Sequence, residues 1–596
     1  MSEAFLDALL TLPGMYEPSV SPDGRHVAWT WYRVALAADV YLAATDGSAP
    51  PMRMTDTPDN TFVASWTVDG RALIVGQDHD GDERVQLFRV DLDRPLHMEP
   101  LTPFAPPYFL RGGELHPNGR WLVYGANYDF ERETEIEPTW VVRHDLETGE
   151  RRVLARPAEP LYFEPELNFQ GTHVLYSRAD RDPSGQQIYL VDIDGIDDRE
   201  ILNFGDDVKV DATWCADGER VLFLVEAETH RKLGVWRDGD IRWLIDDPAR
   251  NLEDAWSPLH TRDAVVLDVH QARTHATLLD LDSGLERAFP ADGHTAIPLA
   301  PVGEDWIVER YSATQPADVM RGDISLTRLF ERTALRWENL APAEEFRWTS
   351  VDGLPIQGWL YRARGEARGS VVYVHGGPTA HSENALNVTV QFLAHAGFNV
   401  LDPNYRGSTG FSLQFQEAIK EDGWGGREQD DIRAGIEALV AQGIAASGKI
   451  GMVGTSYGGY SSWWGITHWP PEILQAAAPI CGMTDLVVDY ETTRPDLRPY
   501  SEEMLGGSPE EVPERYRERS PIHYVRNIRG RLLIVQGMQD PNVTSDNVRD
   551  VRTALDDAGV GYEVLAFEDE GHGISRPRNV RTLCLRLEKF FSEAFT

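Results

Sequence analysis

The first half of the chain repeats one pattern of apolar and polar positions. A glycine turn is followed by an alternating apolar strand, and a second strand then ends in an acidic turn. The clearest copies read PSVSPDGRHVAWTW, ASWTVDGRALIVGQ, GELHPNGRWLVYGA, PELNFQGTHVLYSR and ATWCADGERVLFLV. Successive turn glycines lie 46, 49, 52 and 47 residues apart and are Gly24, Gly70, Gly119, Gly171 and Gly218.

Two weaker copies, near Arg262 and Gly303, bring the number of repeats to seven. Hairpins of this period are too small to bury their own apolar faces, so they are typical of β-propellers. A β-solenoid or a β-sandwich would use similar hairpins. Seven copies at one blade each favour a seven-bladed β-propeller, which we assign to residues 15–341.

After about residue 342 the pattern changes to strands that alternate with helical stretches. Apolar strands are predicted in SVVYVHGG, FNVLDPNY, KIGMVGTS, AAAPICGM, RLLIVQGM and GYEVLAFE. Helices are predicted between them over 387–396, 428–442, 459–468, 547–558 and 579–595. This alternation is typical of βαβ units and a mainly parallel sheet, so residues 342–596 are predicted to form a second domain.

The composition narrows the classes of partner. With 56 Lys and Arg against 96 Asp and Glu, the formal charge is −40, which disfavours nucleic acid and anionic membranes as partners. Three widely spaced cysteines suggest neither a disulfide framework nor a zinc site, and we expect no metal and no cofactor. The N-terminus lacks the basic and apolar runs of a signal peptide, so a cytoplasmic protein is expected. Homo-oligomers are compatible with the sequence.

Candidate chemistry begins at GTSYGGY, residues 454–460. The strand KIGMVG precedes Ser456 and a predicted helix follows it, so the serine lies on a sharp strand-to-helix turn at the carboxyl edge of the sheet. Glycine and serine are also ordinary turn residues. A nucleophilic role therefore requires a base and a residue that orients the base.

Two later strand ends provide those residues. Asp540 follows the strand LLIVQG, and His572 lies between glycines after the next strand. The order Ser456, Asp540, His572 is that of an α/β-hydrolase triad. Asp569 and Glu570 are alternative acids, but they are too close to His572 in sequence to reach the distal ring nitrogen easily.

Acyl transfer also needs hydrogen-bond donors for the oxyanion. The stretch HGGP, residues 375–378, ends the first long strand of the second domain and is a loop type that supplies such a donor. We predict the backbone N–H groups of Gly377 and Tyr457 as the two donors.

These motifs resemble the prolyl oligopeptidase family of serine peptidases, in which a seven-bladed propeller precedes an α/β-hydrolase domain. The resemblance spans nearly the whole chain and includes NYRGSTGFSLQF, WGGREQDDI, QGMQDPNV and DEGHG. It implies Ser456 as nucleophile, His572 as general base and acid, and Asp540 as the residue that orients His572. The motifs look most similar to acylaminoacyl peptidases and bacterial dipeptidyl peptidases.

The resemblance implies further features. Residues 1–14 are similar to an N-terminal helical extension that packs on the hydrolase domain. The region 482–507 lies where such folds insert helices near the substrate. Its Arg494 and Arg498, and the later Arg519, are candidates to hold a substrate carbonyl or carboxylate, although each would also suit a surface salt bridge. The sequence departs from the family pattern at Gln536 and Tyr405, and we expect activity despite both differences.

The expected function is hydrolysis of short peptides through an acyl-enzyme on Ser456, with the propeller restricting access to the site. An acylaminoacyl-peptidase-like activity is favoured. A dipeptidyl aminopeptidase would need an anionic anchor for a free amino terminus, for which the carboxylates of residues 131–137 are candidates. A broad esterase or amidase, and a propeller scaffold without catalysis, are the remaining alternatives.

Overall fold

The computed structural model describes residues 2–32, 36–291, 293–331 and 333–596, without the side chain of Phe330. Met1, the first residue of the predicted N-terminal extension, lies outside the described residues. Between Gly14 and Ser325 the described residues form seven four-stranded antiparallel sheets, each built from one continuous segment. The seven-bladed propeller predicted from the repeats is confirmed.

The blades take their strands in chain order. Those of blades one to four are β1 Gly14–Val20, β2 His26–Tyr32, β3 Asp39–Ala44, β4 Met52–Arg53, β5 Thr61–Trp66, β6 Ala72–Gln77, β7 Gln86–Asp91, β8 Glu99–Pro100, β9 Leu110–Leu115, β10 Trp121–Asp129, β11 Thr134–Asp145, β12 Arg151–Ala155, β13 Glu166–Leu167, β14 His173–Arg178, β15 Gln187–Asp192 and β16 Asp198–Leu202. Those of blades five to seven are β17 Val210–Trp214, β18 Val221–Glu226, β19 Arg231–Arg237, β20 Asp240–Ile245, β21 Leu252–Trp256, β22 Asp263–Val269, β23 Thr274–Asp280, β24 Glu286–Ala288, β25 Thr295–Val302, β26 Asp305–Ser312, β27 Gln315–Arg321 and β28 Ile324–Ser325.

The apolar residues of the repeats pack between neighbouring blades. Each blade shares one hydrophobic cluster with the next, and a last cluster joins blade seven to blade one. In that closing cluster Trp29 and Trp31 of blade one pack with Ile307 and Val319 of blade seven. The alternation seen in the sequence therefore closes the ring through side-chain packing.

Polar residues on the innermost strands also join the blades. Glu114 lies five residues before a turn glycine and accepts a hydrogen bond from the Leu167 N–H at 2.7 Å. Glu166 occupies the same repeat position and accepts one from Thr213 Oγ1 at 2.9 Å. Burial raises the pKa of Glu114 to about 8 and that of Glu166 to about 7. These partly buried carboxyl groups therefore connect blades.

The second domain contains an eight-stranded sheet in the order β29-β30-β32-β31-β33-β34-β35-β36. Its strands are β29 Glu344–Thr349, β30 Pro355–Tyr361, β31 Gly369–Val374, β32 Phe398–Asn404, β33 Ile450–Thr455, β34 Ala476–Ile480, β35 Arg531–Gly537 and β36 Glu563–Phe567. Strands β31 to β36 are parallel, whereas β29 and β30 form an antiparallel edge that the pattern did not predict. This sheet is that of the predicted α/β-hydrolase domain.

Helices cover the sheet on both faces. They are α1 Ser2–Leu9, α2 Val388–His395, α3 Leu413–Glu417, α4 Arg427–Ala441, α5 Tyr457–His468, α6 Leu486–Thr492, α7 Arg498–Leu505, α8 Pro513–Glu518, α9 Ser545–Ala558 and α10 Pro577–Ala594. The N-terminal helix α1 buries Leu6 and Leu9 against α2 and α10 of the second domain. The exact domain boundaries stay a prediction: β28 ends at Ser325 and β29 begins at Glu344.

Candidate active site

Ser456 lies on the tight turn between β33 and α5. Its backbone has φ 61° and ψ −119°, a strained conformation for a residue that is not glycine. The Ser456 N–H donates to Ile480 O at 3.0 Å, and Ser456 O accepts from the Tyr460 N–H at 2.9 Å. A side chain at Gly458 would lie 2.0 Å from Val374 O, so only glycine lets α5 start this close to β31. The sequence motif thus forms the predicted turn.

Asp540 and His572 meet beyond the ends of β35 and β36. His572 Nδ1 lies 2.9 Å from Asp540 Oδ2. The Asp540 side chain is fully buried and also accepts hydrogen bonds from the backbone N–H groups of Asn542 and Val543 at 2.8 and 3.0 Å. Because a carboxylate only accepts hydrogen bonds, Nδ1 carries the proton and Nε2 is left as an acceptor.

The two alternative acids have other partners. Glu570 accepts hydrogen bonds from Ser575 and Arg576, and Asp569 forms an ion pair with Arg578. The structure therefore pairs His572 with Asp540, as the sequence order predicts. The hydrogen bonds of the described residues do not include one between Ser456 Oγ and His572, a contact that often forms only when substrate binds.

The pKa of His572 depends on two opposing effects. Burial by itself would lower it, but the charge of Asp540 and the hydrogen bond to Asp540 outweigh burial and hold the pKa above its ordinary value. Glu83 adds to the increase and Arg494 opposes it. This imidazole is consequently protonated more easily than an exposed histidine.

The HGGP loop passes beside Ser456. A Cβ atom placed on Gly376 would lie 3.4 Å from Ser456 Cβ, and Gly377 has φ 112°. The loop is fixed by His375, whose Nε2 lies 3.0 Å from Ser408 Oγ and whose carbonyl oxygen accepts from Tyr405 OH at 3.0 Å. The predicted donors Gly377 and Tyr457 therefore belong to the two segments that flank the serine.

A cavity of about 580 Å³ separates the propeller from these loops. The second domain contributes His572 and its neighbours, and the first four blades contribute the opposite wall. The lining residues are Tyr16, Glu17, Tyr32, Asn60, Phe62, Val63, Ala64, Asp78, Gly81, Glu83, Val85, Leu110, Arg111, Gly112, Tyr162, Glu164, Arg494, Asn542, Gly571, His572, Gly573 and Ser575. This volume is typical of a small-ligand site.

The arginines of the cavity wall are already paired with acids. Arg494 donates to Glu83 and lies 3.1 Å from Asp496, and Arg111 lies 2.7 Å from the same aspartate. Glu83 also accepts a hydrogen bond at 2.9 Å from the side-chain amide of Asn542, which lies two residues after Asp540 in the chain. These contacts connect the propeller to the loop that carries Asp540.

Three other carboxylates of the wall have no ion-pair partner among the described residues. Glu164 accepts a hydrogen bond from Tyr162 OH at 2.8 Å, and Asp78 lies at the hydrogen-bond limit, 3.5 Å, from Asn60 Nδ2. Burial raises the pKa of Asp78 to about 7 and also raises that of Glu17. Glu17 has φ 44° at a β-bulge of β1, an unusual backbone for glutamate. The cavity wall therefore has more carboxyl groups than arginines.

The predicted substrate-binding arginines are separated by the fold. Arg494 lines the cavity, whereas Arg498 donates to Glu137 at 2.8 Å and Arg519 donates to the backbone oxygen of Gly425. The acidic segment 131–137 contributes none of the residues that line this cavity. Sequence reasoning missed Glu17, Arg111 and Glu164, because nothing in the repeats distinguishes the blade residues that face the second domain.

Within the described ranges no cluster of His, Cys, Asp or Glu is arranged to hold a metal ion, and the three cysteines are buried. Among the described helices, none combines the length and the apolar character needed to cross a membrane.

Comparisons with known proteins agree with this architecture. The model of the prolyl oligopeptidase family matches residues 384–596. Dipeptidyl aminopeptidase BIII of Pseudoxanthomonas mexicana is 27% identical over 98% of this chain and 88% of its own length. A puromycin-hydrolyzing peptidase of Mycobacterium tuberculosis has a similar fold, with a TM-score of 0.82 at 21% identity over 100% of this chain and 96% of that one. An acylaminoacyl peptidase of Pyrococcus horikoshii also has a similar fold. Its TM-score is 0.74 at 20% identity, over 98% of this chain and 96% of that one. Through its second domain the chain is related to the prolyl oligopeptidase family, and it is a serine peptidase.

Proposed function

We propose that Ser456 is the nucleophile of this peptidase, that His572 is its general base and acid, and that Asp540 orients His572. The supporting observation is the Asp540–His572 pair, which leaves Nε2 as an acceptor at the edge of the parallel sheet where the strained turn of Ser456 also lies. Ser456 Oγ attacks the peptide carbonyl while His572 takes its proton, and His572 then protonates the leaving amine. Water then attacks the acyl-enzyme while His572 takes a proton from it. His572 returns this proton to Ser456 Oγ as the acid is released.

The oxyanion of each tetrahedral intermediate needs donors that are already in place. In this proposal they are the backbone N–H groups of Gly377 and Tyr457. The Tyr457 N–H lies at the start of α5, where the helix dipole also favours negative charge. Arg494, at the cavity wall beside His572, is retained as a substrate-binding residue.

For the substrate class we propose short peptides with a free amino terminus. The unpaired carboxylates Glu17 and Glu164 face the same cavity as His572 and suit a cationic ammonium group. An acylated terminus has no charge for them to bind. The name of the relative from Pseudoxanthomonas mexicana, a dipeptidyl aminopeptidase, agrees with this choice. The acylaminoacyl specificity that the motifs favoured is the alternative, and the acylaminoacyl peptidase of Pyrococcus horikoshii has a similar fold.

A panel of matched p-nitroanilide peptides, free and N-acetylated, tests this specificity. We expect the free peptides to be cleaved with the higher kcat/KM. A hydrogen bond to a charged group contributes about 1.5–3 kcal/mol, so Glu17→Gln or Glu164→Gln should lower kcat/KM for free peptides about 10- to 100-fold. The kcat/KM for acetylated peptides should not change with either substitution.

The matched control is Glu137→Gln, in the acidic segment that lies outside this cavity. This substitution should leave kcat/KM unchanged for both free and acetylated peptides. Faster cleavage of acetylated peptides, or equal losses on both classes, would contradict the free-terminus proposal. Cleavage of simple p-nitrophenyl esters with equal efficiency would indicate the esterase alternative.

The pH dependence follows from the raised pKa of His572. Only the neutral imidazole accepts the Ser456 proton, so kcat/KM must fall as pH falls through this pKa. Asp540 and Glu83 raise the pKa while burial and Arg494 oppose them, and the net direction is upward. The acid limb of kcat/KM should therefore have its midpoint above the ordinary histidine value of about 6.5. A profile from about pH 5 to about pH 9 measures it, and a midpoint near 5 would contradict the assignment of His572 as the base.

We keep the proposal that the propeller limits access to short peptides, because the cavity lies between the two domains. A cytoplasmic location and assembly into homo-oligomers are likewise retained as proposals.

A further inference from the structure

Behind the predicted oxyanion donors lies a row of aromatic rings. The Tyr405 ring stacks on His375 at 4.5 Å with an angle of 12° between the planes. The Tyr405 ring also lies 5.9 Å from the ring of Tyr457, which in turn lies 5.6 Å from the ring of Trp424. The segment that carries Gly377 and the residue after Ser456 are thus supported by one packed unit.

The row is anchored to a buried carboxyl group through Tyr457. The Tyr457 OH donates to Glu428 Oε1 at 2.8 Å, and neither side chain is exposed to solvent. The same oxygen accepts from the backbone N–H groups of Gly425 and Gly426 at 2.6 and 3.1 Å and from Gln429 Nε2 at 3.0 Å. One carboxyl oxygen therefore joins the start of α4 to the start of α5.

A second contact strengthens the same junction. Gln429 Nε2 also lies 2.9 Å from Ser461 Oγ on α5. Glu428 Oε2, by contrast, is buried with no hydrogen-bond partner among the described residues. A buried polar oxygen without a partner is costly, and burial raises the pKa of Glu428 to about 7. An apolar side chain here would avoid that cost but could not hold the Tyr457 hydroxyl.

We infer that Glu428 is a positioning residue for the oxyanion hole, acting through the hydroxyl and ring of Tyr457 on the Tyr457 backbone N–H. This inference rests on the proposed function of Ser456 and Tyr457. Glu428 touches neither the serine nor the cavity. Its effect is to fix the direction of the first N–H of α5, and small displacements of such donors weaken stabilisation of the transition state.

The test compares Tyr457→Phe, Glu428→Ala and Glu428→Gln with the double variant Tyr457→Phe/Glu428→Ala on one p-nitroanilide peptide. Loss of a complete oxyanion donor costs about 10²- to 10³-fold, so a displaced donor should lower kcat about 10-fold and leave KM unchanged. If the two substitutions acted independently, their losses of kcat would multiply to about 100-fold in the double variant. If they act through one shared hydrogen bond, the loss of kcat in the double variant should stay near 10-fold. Glu428→Gln keeps an acceptor oxygen and should restore most of kcat.

Tyr460→Phe is the matched control. Tyr460 is equally buried, lies one turn further along α5 and donates from its hydroxyl to Arg519 O at 2.8 Å. It should lose thermal stability like Tyr457→Phe but retain kcat. Wild-type kcat in Tyr457→Phe, an equal loss in Tyr460→Phe, or multiplicative losses in the double variant would overturn the inference. Activity that survives Ser456→Ala would instead overturn the proposed function, so the two failures are distinguishable.

Discussion

Replacing Ser456 with alanine is expected to abolish peptide hydrolysis, with kcat reduced by a factor on the order of 10⁵ to 10⁶. The variant keeps the cavity and the oxyanion donors, so substrates should still bind. What it loses is the atom that forms the acyl-enzyme. Single-turnover and steady-state assays with a p-nitroanilide peptide measure the loss, and a fluorophosphonate probe should label the wild-type protein at Ser456 only.

Ser462→Ala provides the control for this experiment. Ser462 is buried on the same helix and its hydroxyl donates to Gly458 O at 2.8 Å. Its replacement removes a hydroxyl group near the site without touching the proposed chemistry, so hydrolysis and labelling should persist. Hydrolysis by Ser456→Ala at more than a small fraction of the wild-type rate would identify a different nucleophile.

Asp540→Asn is expected to produce the second largest effect, a fall in kcat of about 10⁴-fold. The amide retains the size of the carboxylate, but it has no negative charge to stabilise the positively charged His572 ring that forms during attack. Its NH₂ group also favours a His572 tautomer with the proton on Nε2, the nitrogen that must accept the Ser456 proton. Circular dichroism of the variant separates this loss from unfolding.

Asp489→Asn is the matched control for the aspartate. Asp489 is also buried, and burial followed by the charge of Asp540 raises its pKa to about 8. Asparagine therefore resembles the neutral acid that Asp489 is at pH 7, and activity should be retained. If Asp540→Asn kept wild-type kcat while Asp489→Asn lost it, the assignment of the orienting acid would have to be exchanged.

The order of the proposed triad was predictable because each residue follows an apolar strand in the sequence. Parallel strands end at one edge of a sheet, so the positions of Ser456, Asp540 and His572 along the chain were enough to place them together. The blades were predictable for a related reason. Their turn glycines have positive φ angles of 67–75°, which makes them visible as repeats.

The wall opposite His572 was not predictable. Glu17 enters the cavity through a bulge in β1 and Glu164 through the segment before β13, and both depend on how the ring of blades is placed on the second domain. Such contacts join residues far apart in sequence and leave no local pattern. For the same reason the sequence indicated the acidic segment 131–137 as the anchor for a free amino terminus, although that segment does not line the cavity.

The antiparallel edge of the second domain was missed for another reason. β29 and β30 read EEFRWT and PIQGWLY, which resemble the hairpins of the propeller more than a parallel core strand. The helices α6 and α7 lie in the region 482–507, which the sequence indicates only as an insertion near the substrate, and α8 follows that region. Short, polar elements of this kind are defined by tertiary packing, which a single sequence does not show.

The contact between Gly81 of blade two and Gly571 beside His572 limits which propeller can be joined to this second domain. A Cβ atom on Gly81 would lie 2.6 Å from Gly571 N, and one on Gly571 would lie 2.0 Å from Gly81 O. The two domains meet here backbone to backbone, at the loop that carries the proposed base. A chimera that exchanged the propeller for another would have to reproduce this glycine, so the two domains are not freely interchangeable modules.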